Sequence, residues 1–398
     1  MSNEPALLPE GSVTTPPGFT AAAAHAGLKA GGALDVALLV SATSCATAGV
    51  FTRNALRAAP VLYDEDLLSE RPGRIRAVAM NARVANACTG PAGLAAAGAM
   101  AQAAERAAGL PPRTALVLST GVIGATLPID KIVAGIDAVE LGDNGGDAAQ
   151  AIMTTDTTVK QSVAHSDLGF TVGGMSKGSG MIHPCLATML AVVTTDYPLD
   201  EGEAIAFLRP AVDASFNAIS VDGECSTNDT VLLLANGASG VERTAESDAE
   251  FALALRTVCG ELAKQIVADG EGATVLAEIA VRGAENDAQA RAIAERVATS
   301  PLVKTALFGH DANWGRIASA AGSAKFDGGF AALDPDKLTI VIDGVPVLVD
   351  GSPSGDEPAL TNGHCAIELD LALGDGAATY LTTDLSYDYV RINAEYRS

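Results

Sequence analysis

The Ala187-Thr188 step is the place where this sequence could do covalent chemistry. It closes the stretch Lys177-Gly-Ser-Gly-Met-Ile-His-Pro-Cys-Leu-Ala-Thr188-Met-Leu, just ahead of an apolar run, residues 189–193, that reads as a buried strand. Residues 177–188 show neither strand nor helix period and hold Gly and Pro, so they read as a loop. A Thr that merely opens a β-branched strand would be ordinary. Cleavage of the Ala187–Thr188 peptide bond would change its role. The freed α-amine, with a reference pKa of about 8, would sit within reach of the Thr188 hydroxyl and serve as its base. That is a known way to activate a weak hydroxyl nucleophile.

Other chemistries fit less well. Gly173-Gly-Met-Ser-Lys-Gly-Ser-Gly180 lacks the spacing of a phosphate-binding loop, and no G-x-G-x-x-G opens a helix after a strand. The five His form no H-E-x-x-H or ligand pair. The six Cys, at positions 45, 88, 185, 225, 259 and 365, form no CxxC and read as small hydrophobes. No G-x-S-x-G elbow appears. Asp222 and Glu224 could be paired carboxylates, although such loops are usually just solvated. The expectation is an enzyme with no metal and no resident cofactor.

The elements that must carry Thr188 alternate without a strict βαβ rhythm, which predicts layered α+β structure. Strands are expected at residues 36–40, 47–51, 74–80, 114–119, 230–235 and 277–281, with a strand pair over 158–173. Helices are expected at 91–109, 128–141, 146–153, 210–220, 245–269 and 285–300. The last part (338–349, 364–373 and 377–385) reads as strands with little helix. Polar clusters abut these strands at 86–90, 119–121, 154–157, 177–188, 220–229, 270–274, 309–316 and 391–398. Each alone would be a turn.

The chain has 398 residues, 48% hydrophobic, enough for one large or two medium domains. Its net charge of −23 argues against nucleic acid and anionic membranes as partners. No basic n-region with an apolar run opens the chain, and no segment has the length and apolarity of a membrane span. Cytoplasmic location is the expectation.

Taken in order, the clusters resemble the ornithine acetyltransferase (glutamate N-acetyltransferase) family of arginine biosynthesis. The match runs from about Gly18 to Ser398. Its most specific parts are Lys177-Gly-Ser-Gly-Met-Ile-His-Pro with Ala187-Thr188-Met-Leu, Ile152-Met-Thr-Thr-Asp-Thr157, and Ser220-Val-Asp-Gly-Glu-Cys-Ser-Thr-Asn-Asp-Thr230. With them go Asp269-Gly-Glu-Gly-Ala-Thr274, Asp311-Ala-Asn-Trp-Gly-Arg316 and Tyr389-Val-Arg-Ile-Asn-Ala-Glu-Tyr-Arg397. The resemblance implies the layered α/β sandwich of the self-processing aminopeptidases. It also implies self-cleavage into an α chain, 1–187, and a β chain, 188–398, which includes a smaller C-terminal α/β part, and an α2β2 heterotetramer.

It further implies residue roles. Thr188 would be the nucleophile, Thr120 and Gly121 the oxyanion hole, and Lys177, Glu271, Asn393 and Ser398, with Thr154 or Thr155 of the 154–157 run, the substrate site. The substrates would be N-acetylornithine and glutamate, and the resemblance leaves open acetyl-CoA as a second donor. The sequence departs from the family at Val275, where Lys is expected, at Cys185-Leu186, where Asn-Met is common, and at Ala82-Arg83, where Ser-Gly is usual. Two alternatives stand beside this reading: an aminopeptidase or amidase on the same scaffold, and a non-catalytic amino-acid-binding protein.

Overall fold

A computed structural model describes residues 5–183, 189–361 and 363–395. Ala187, Thr188 and Ser398, all expected at the site, lie outside the described residues. The chain forms two compact units. One holds the residues up to Asn217 together with Cys225–Ile266, and the other holds Ala218–Glu224 with the residues from Val267 onward.

The first unit begins with β1 (Ala6–Leu7), β2 (Phe19–Ala24), β3 (Val36–Phe51), α1 (Ala59–Glu70) and β4 (Ile75–Asn81). There follow α2 (Gly90–Ala107), β5 (Ala115–Ser119), α3 (Ile129–Asp137), α4 (Gly145–Ala151), β6 (Lys160–His165), β7 (Thr171–Lys177), β8 (Leu190–Thr195) and α5 (Ala204–Asp213). After β9 (Ile219–Ser220), which pairs in the second unit, come β10 (Thr230–Ala235) and α6 (Ala245–Ala268). The strands make a nine-stranded sheet in the order β1-β6-β7-β8-β10-β3-β4-β5, with β2 on β3.

β3 runs unbroken for 16 residues, where the sequence predicted two strands. The small polar residues Ser41 to Ser44 hid the continuity. The first half of β3 pairs with β2 and β4, and the second half pairs with β10. Because a strand turns alternate side chains to opposite faces, β3–β5 feed two cores. Leu38, Ala79 and Val117 pack under Met100 and Ala104 of α2 and Ile132 and Ile136 of α3. Leu39, Val78, Met80, Leu116 and Leu118 meet Met175, Leu190, Val192, Leu232 and Leu234 from the other half of the sheet. Behind that half lies α6: a Cβ at Gly174 would lie 2.8 Å from Leu262. The order is helix, strands, strands, helix, in agreement with the layered α+β expectation.

β5 ends the sheet, and two helices cover its open N–H groups. Glu105 of α2 accepts from Thr114 and Ala115 at 2.9 and 3.3 Å, and Asp64 of α1 accepts from Val117 at 2.9 Å.

Two helix expectations are corrected here. The helix expected at 210–220 is α5, which starts six residues earlier, and Pro210 stands inside it. Pro at a first turn is a common start signal; here it occupies the last turn, where a missing N–H is tolerated at a cost. Helix α1 was not anticipated, because its sequence mixes Pro, Tyr and acids without a clear apolar stripe.

The second unit contains β11 (Val275–Ala284), α7 (Asp287–Ala298), α8 (Pro301–Phe308), α9 (Trp314–Ala321) and the short hairpin β12 (Lys325–Phe326) and β13 (Gly329–Phe330). It continues with β14 (Thr339–Ile342), β15 (Val345–Val349), β16 (Ser352–Pro353), β17 (Gly363–Asp370), β18 (Gly376–Thr383) and α10 (Tyr387–Glu395). Its sheet runs β16-β15-β14-β17-β11-β18-β9. Val275, Ala277, Ile279 and Val281 alternate along β11 and face Ile293 and Val297 of α7. Side chains of Asn286, Ser300 and Asn313 cap α7, α8 and α9 by accepting first-turn N–H groups. The strands expected over 338–349, 364–373 and 377–385 are β14, β15, β17 and β18, and helix α10, which follows them, was not anticipated. It mixes polar and apolar residues, and none is buried. Among the described residues no helix is long and apolar enough to cross a membrane.

Candidate active site

Of the predicted residues described in the first unit, Thr120 and Gly121 follow β5, Lys177 ends β7, and Thr154 and Thr155 lie between α4 and β6. The Ser119 hydroxyl at the end of β5 donates to Asn81 Oδ1 at 2.7 Å, and the Thr120 N–H donates to the Asn81 carbonyl at 3.1 Å. Gly121 has φ +131°, and a Cβ there would lie 2.0 Å from the Arg83 carbonyl carbon and 2.3 Å from its oxygen. Only glycine fits this crossing of two backbones. On its far side Val122 N–H donates to Arg83 O at 3.0 Å. Among the described residues, neither the Gly121 N–H nor the Thr120 hydroxyl has a hydrogen-bond partner. Two donors at one strand end are what an oxyanion hole requires. Arg83 holds φ 74°, a left-handed position that glycine adopts without penalty.

Lys177 ends β7 opposite Leu190 of β8 and is buried. The sequence read its ammonium as a group for a substrate carboxylate. The structure gives it a protein neighbour as well: Asp156, with Oδ2 3.8 Å from Lys177 Nζ and Oδ1 2.8 Å from Lys160 Nζ. Asp156 also accepts the Thr154 N–H at 2.9 Å and the Gly178 N–H at 2.6 Å. Burial alone would raise its carboxyl, but Lys177 and Lys160 hold it well below the usual carboxylate range. One carboxylate thereby ties the 154–157 loop to the end of β7. Thr155 Oγ1 adds a second tie, 2.7 Å from Ser179 Oγ.

Beside Thr154 and Asp156 opens a cavity of about 360 Å³, also lined by Lys29, Leu34, Gln150 and Met153. Burial lowers the Lys29 pKa, against the pull of Asp35 and Asp156. A larger cavity of about 600 Å³, around Arg53, Arg57 and Arg209, contains none of the predicted residues.

Two further residues join these strand ends. Asn228 Nδ2 donates to Ser119 O at 2.8 Å and to Ala85 O at 2.6 Å. Asp229 Oδ1 accepts the Met189 N–H at 3.1 Å. Sequence reasoning quoted Asn228, Asp229 and Asp156 within motifs but gave them no role. The available signal was polar residues set against apolar strands; the partners that bring the site together include residues 22 to 143 positions away.

In the second unit the structure brings Glu271 and Asn393 together across 122 positions: Asn393 Nδ2 donates to Glu271 Oε2 at 2.8 Å and to Tyr389 O at 3.0 Å. The glycines flanking Glu271 admit close approach of the chain itself. A Cβ at Gly272 (φ +67°) would lie 2.5 Å from Tyr389 N, and one at Gly270 2.9 Å from Thr383 Cγ2. Ser386 Oγ completes the turn with a 2.6 Å hydrogen bond to Gly272 O. Burial raises the Tyr389 hydroxyl above its usual range, and Asp222 and Glu271 add to the effect.

The ArgJ family model matches residues 20–398 of this chain. Curated relatives include the arginine biosynthesis bifunctional protein ArgJ of Mycolicibacterium paratuberculosis, 46% identical over all of this chain and 99% of its own length. The protein of the same name from Symbiobacterium thermophilum is 46% identical over 98% of this chain and 99% of its own. Among solved structures, ArgJ from Bacillus halodurans is 39% identical, with a TM-score of 0.47, covering 51% of this chain and 97% of that one. Ornithine acetyltransferase from Mycobacterium tuberculosis, solved with ornithine, is 46% identical, with a TM-score of 0.42, covering 45% of this chain and 97% of that one. Matched by the family model across nearly its whole length, and by curated relatives over all of it, this chain belongs to the ArgJ family.

Proposed function

We propose that this enzyme moves the acetyl group of N-acetylornithine to glutamate through an acetyl-Thr188 intermediate. The observation that carries the reading is the end-to-end match to relatives named as arginine-biosynthesis proteins. The oxyanion-type geometry at Thr120 and Gly121 supports it.

In the proposed cycle the Thr188 hydroxyl, its proton taken by the Thr188 α-amine, attacks the acetyl carbonyl. The tetrahedral oxygen is met by the Gly121 N–H and the Thr120 hydroxyl. The C–N bond breaks, ornithine's amine leaves with the proton, and the acetyl ester remains. Glutamate's amine then attacks the ester, restoring Thr188 and giving N-acetylglutamate. Donor and acceptor are both amino acids, so one site serves each half-reaction. Lys177 suits the shared α-carboxylate, Glu271 the ornithine ammonium, and Asn393 holds Glu271. Thr154, Thr155 and Ser398 complete the proposed substrate contacts.

Self-cleavage at Ala187–Thr188, an α2β2 heterotetramer, cytoplasmic location and acetyl-CoA as a second donor belong to the same proposal. A single preparation tests it. The purified wild-type chain should run as two fragments meeting at 187/188 and exchange acetyl between N-acetylornithine and glutamate, assayed with and without acetyl-CoA. Thr188→Ala should remain one chain by mass spectrometry and transfer nothing. Release of free acetate or of amino acids from peptides in place of transfer would move the enzyme to the hydrolase reading.

A further inference from the structure

Residues 226–230 do more than connect two elements. Asn228 is buried, and its side-chain amide spans two backbone carbonyls, Ser119 O at 2.8 Å and Ala85 O at 2.6 Å. The first belongs to the strand end that presents Thr120 and Gly121. The second belongs to the loop that Gly121 crosses. Its Oδ1 accepts from Thr227 Oγ1 at 2.6 Å, which fixes the amide's orientation.

The next residue reaches the opposite way. Asp229 is fully buried; Oδ1 accepts the Met189 N–H at 3.1 Å, and its carbonyl accepts the Thr52 N–H at 2.9 Å. Thr230 N–H donates to Met189 O at 3.1 Å, so Met189 is held from both sides of its backbone. Asp229 Oδ2 has no hydrogen-bond partner among the described residues. A buried carboxyl with one oxygen unmet is costly, and an apolar residue would avoid that cost. Burial pushes its carboxyl well above the usual carboxylate range, against the Met189 N–H and the Lys177 charge. Asp229 Oδ1 holds Met189 as a hydrogen-bond acceptor.

We infer that Asn228 and Asp229 are positioning residues of the acyl-transfer site: Asn228 fixes the strand end that carries the oxyanion donors, and Asp229 fixes the amide that follows the nucleophile in the chain. The inference rests on the proposed function. Met189 N is joined to the Thr188 α-nitrogen by three covalent bonds and to its hydroxyl oxygen by four. One dipeptide thus ties the frame of the nucleophile to the frame of the oxyanion hole, and their relative placement decides the rate.

The test uses the full-length enzyme and three variants, Asp229→Ala, Asp229→Asn and Asn228→Ala. Asp229→Ala should lose about 100-fold in kcat, the scale of a misplacement of about 1 Å, with KM little changed because the substrate contacts remain. Asn228→Ala should show the same split. Asp229→Asn keeps an acceptor oxygen for Met189 and should recover most of the lost rate. Hydrogen exchange gives a readout free of activity: the peptide containing the Met189 amide should exchange faster in Asp229→Ala than in wild type.

A folded Asp229→Ala with wild-type kcat overturns the inference. So does a folded Asp229→Asn as slow as the Ala variant, which remains decisive if Asp229→Ala does not fold. Wild-type enzyme inert toward N-acetylornithine overturns the proposed function instead. Met189 exchange equal in wild type and variant then overturns the positioning role separately.

Discussion

Adding one methyl at Gly121 should separate catalysis from folding. Its Cβ would stand 2.0 Å from the Arg83 carbonyl carbon and 2.3 Å from the oxygen. Non-bonded carbons rest at about 3.5–4.0 Å, so the two backbones must part by about 1.5 Å. Val122 N–H reaches Arg83 O at 3.0 Å, and Ala85 N–H reaches Val122 O at 3.1 Å, so the displacement falls on this bridged pair of loops. The layered core below them is untouched. An oxyanion donor works at about 2.7–3.1 Å. Moved by about 1.5 Å, the Gly121 N–H no longer makes a hydrogen bond.

Gly121→Ala should therefore lose a whole donor, about 100- to 1,000-fold in kcat, while the strained φ removes about 1–2 kcal/mol of stability. The assay is steady-state acetyl transfer with KM measured separately, alongside a thermal melt. Normal kcat in a folded Gly121→Ala protein would refute the placement of the oxyanion hole. A parallel loss in KM alone would mean that the loop binds substrate and leaves the transition state to others.

Other perturbations carry their own signs. Glu271→Gln keeps an acceptor for Asn393 and removes only the charge; kcat/KM for N-acetylornithine should fall about tenfold, the lower range of a charged hydrogen bond because Glu271 is half-exposed, with self-cleavage intact. Lost cleavage would make its role structural. Asp156→Asn should lose about 3–5 kcal/mol at neutral pH, since it strips a carboxylate from two buried ammonium groups. The Asp156 pKa is depressed in the fold, so its contribution is present above about pH 4, its unfolded value, and fades as pH falls through the folded one; the melting gap to wild type should narrow only in acid, and a gap constant with pH would sink the charge reading. Asp64→Asn should behave oppositely. Burial raises the Asp64 carboxyl, so ionisation opposes folding, and the Asn variant should match wild type near pH 3 and melt higher at pH 7. Both keep β5 covered at Val117. A lower melting temperature at pH 7 would show that the ionised form is the one the fold uses.

Much of this was legible in the sequence because its signals are local. Apolar runs ending in small polar residues located β4, β5 and β10, and the proposed oxyanion donors lie at the end of β5. What stayed hidden depends on distance or on short polar helices. Asp156 looks like a turn residue between threonines until Lys160 and Lys177 are folded against it. Asn228 and Ser119 lie 109 positions apart, and no spacing rule links them. The glycines around Glu271 make close contacts with the chain's own β18 and α10, which no local pattern shows. Helices α8, α9 and α10 are only eight or nine residues long, too short for their period to stand out in the sequence.

The strand order β7-β8-β10-β3 has a consequence for the proposed cleavage. β7 and β3 precede residue 188, and β8 and β10 follow it, so the two proposed chains alternate as N-terminal, C-terminal, C-terminal, N-terminal across one hydrogen-bonded sheet. Breaking one peptide bond at the mouth of β8 removes none of these ladders. The products would divide the first unit into two interleaved halves, while the second unit, with its own core, falls wholly within the C-terminal product. On the proposed cleavage, the uncut chain would build the sheet first, and fragments separated in denaturant would have lost the covalent link between β7 and β8.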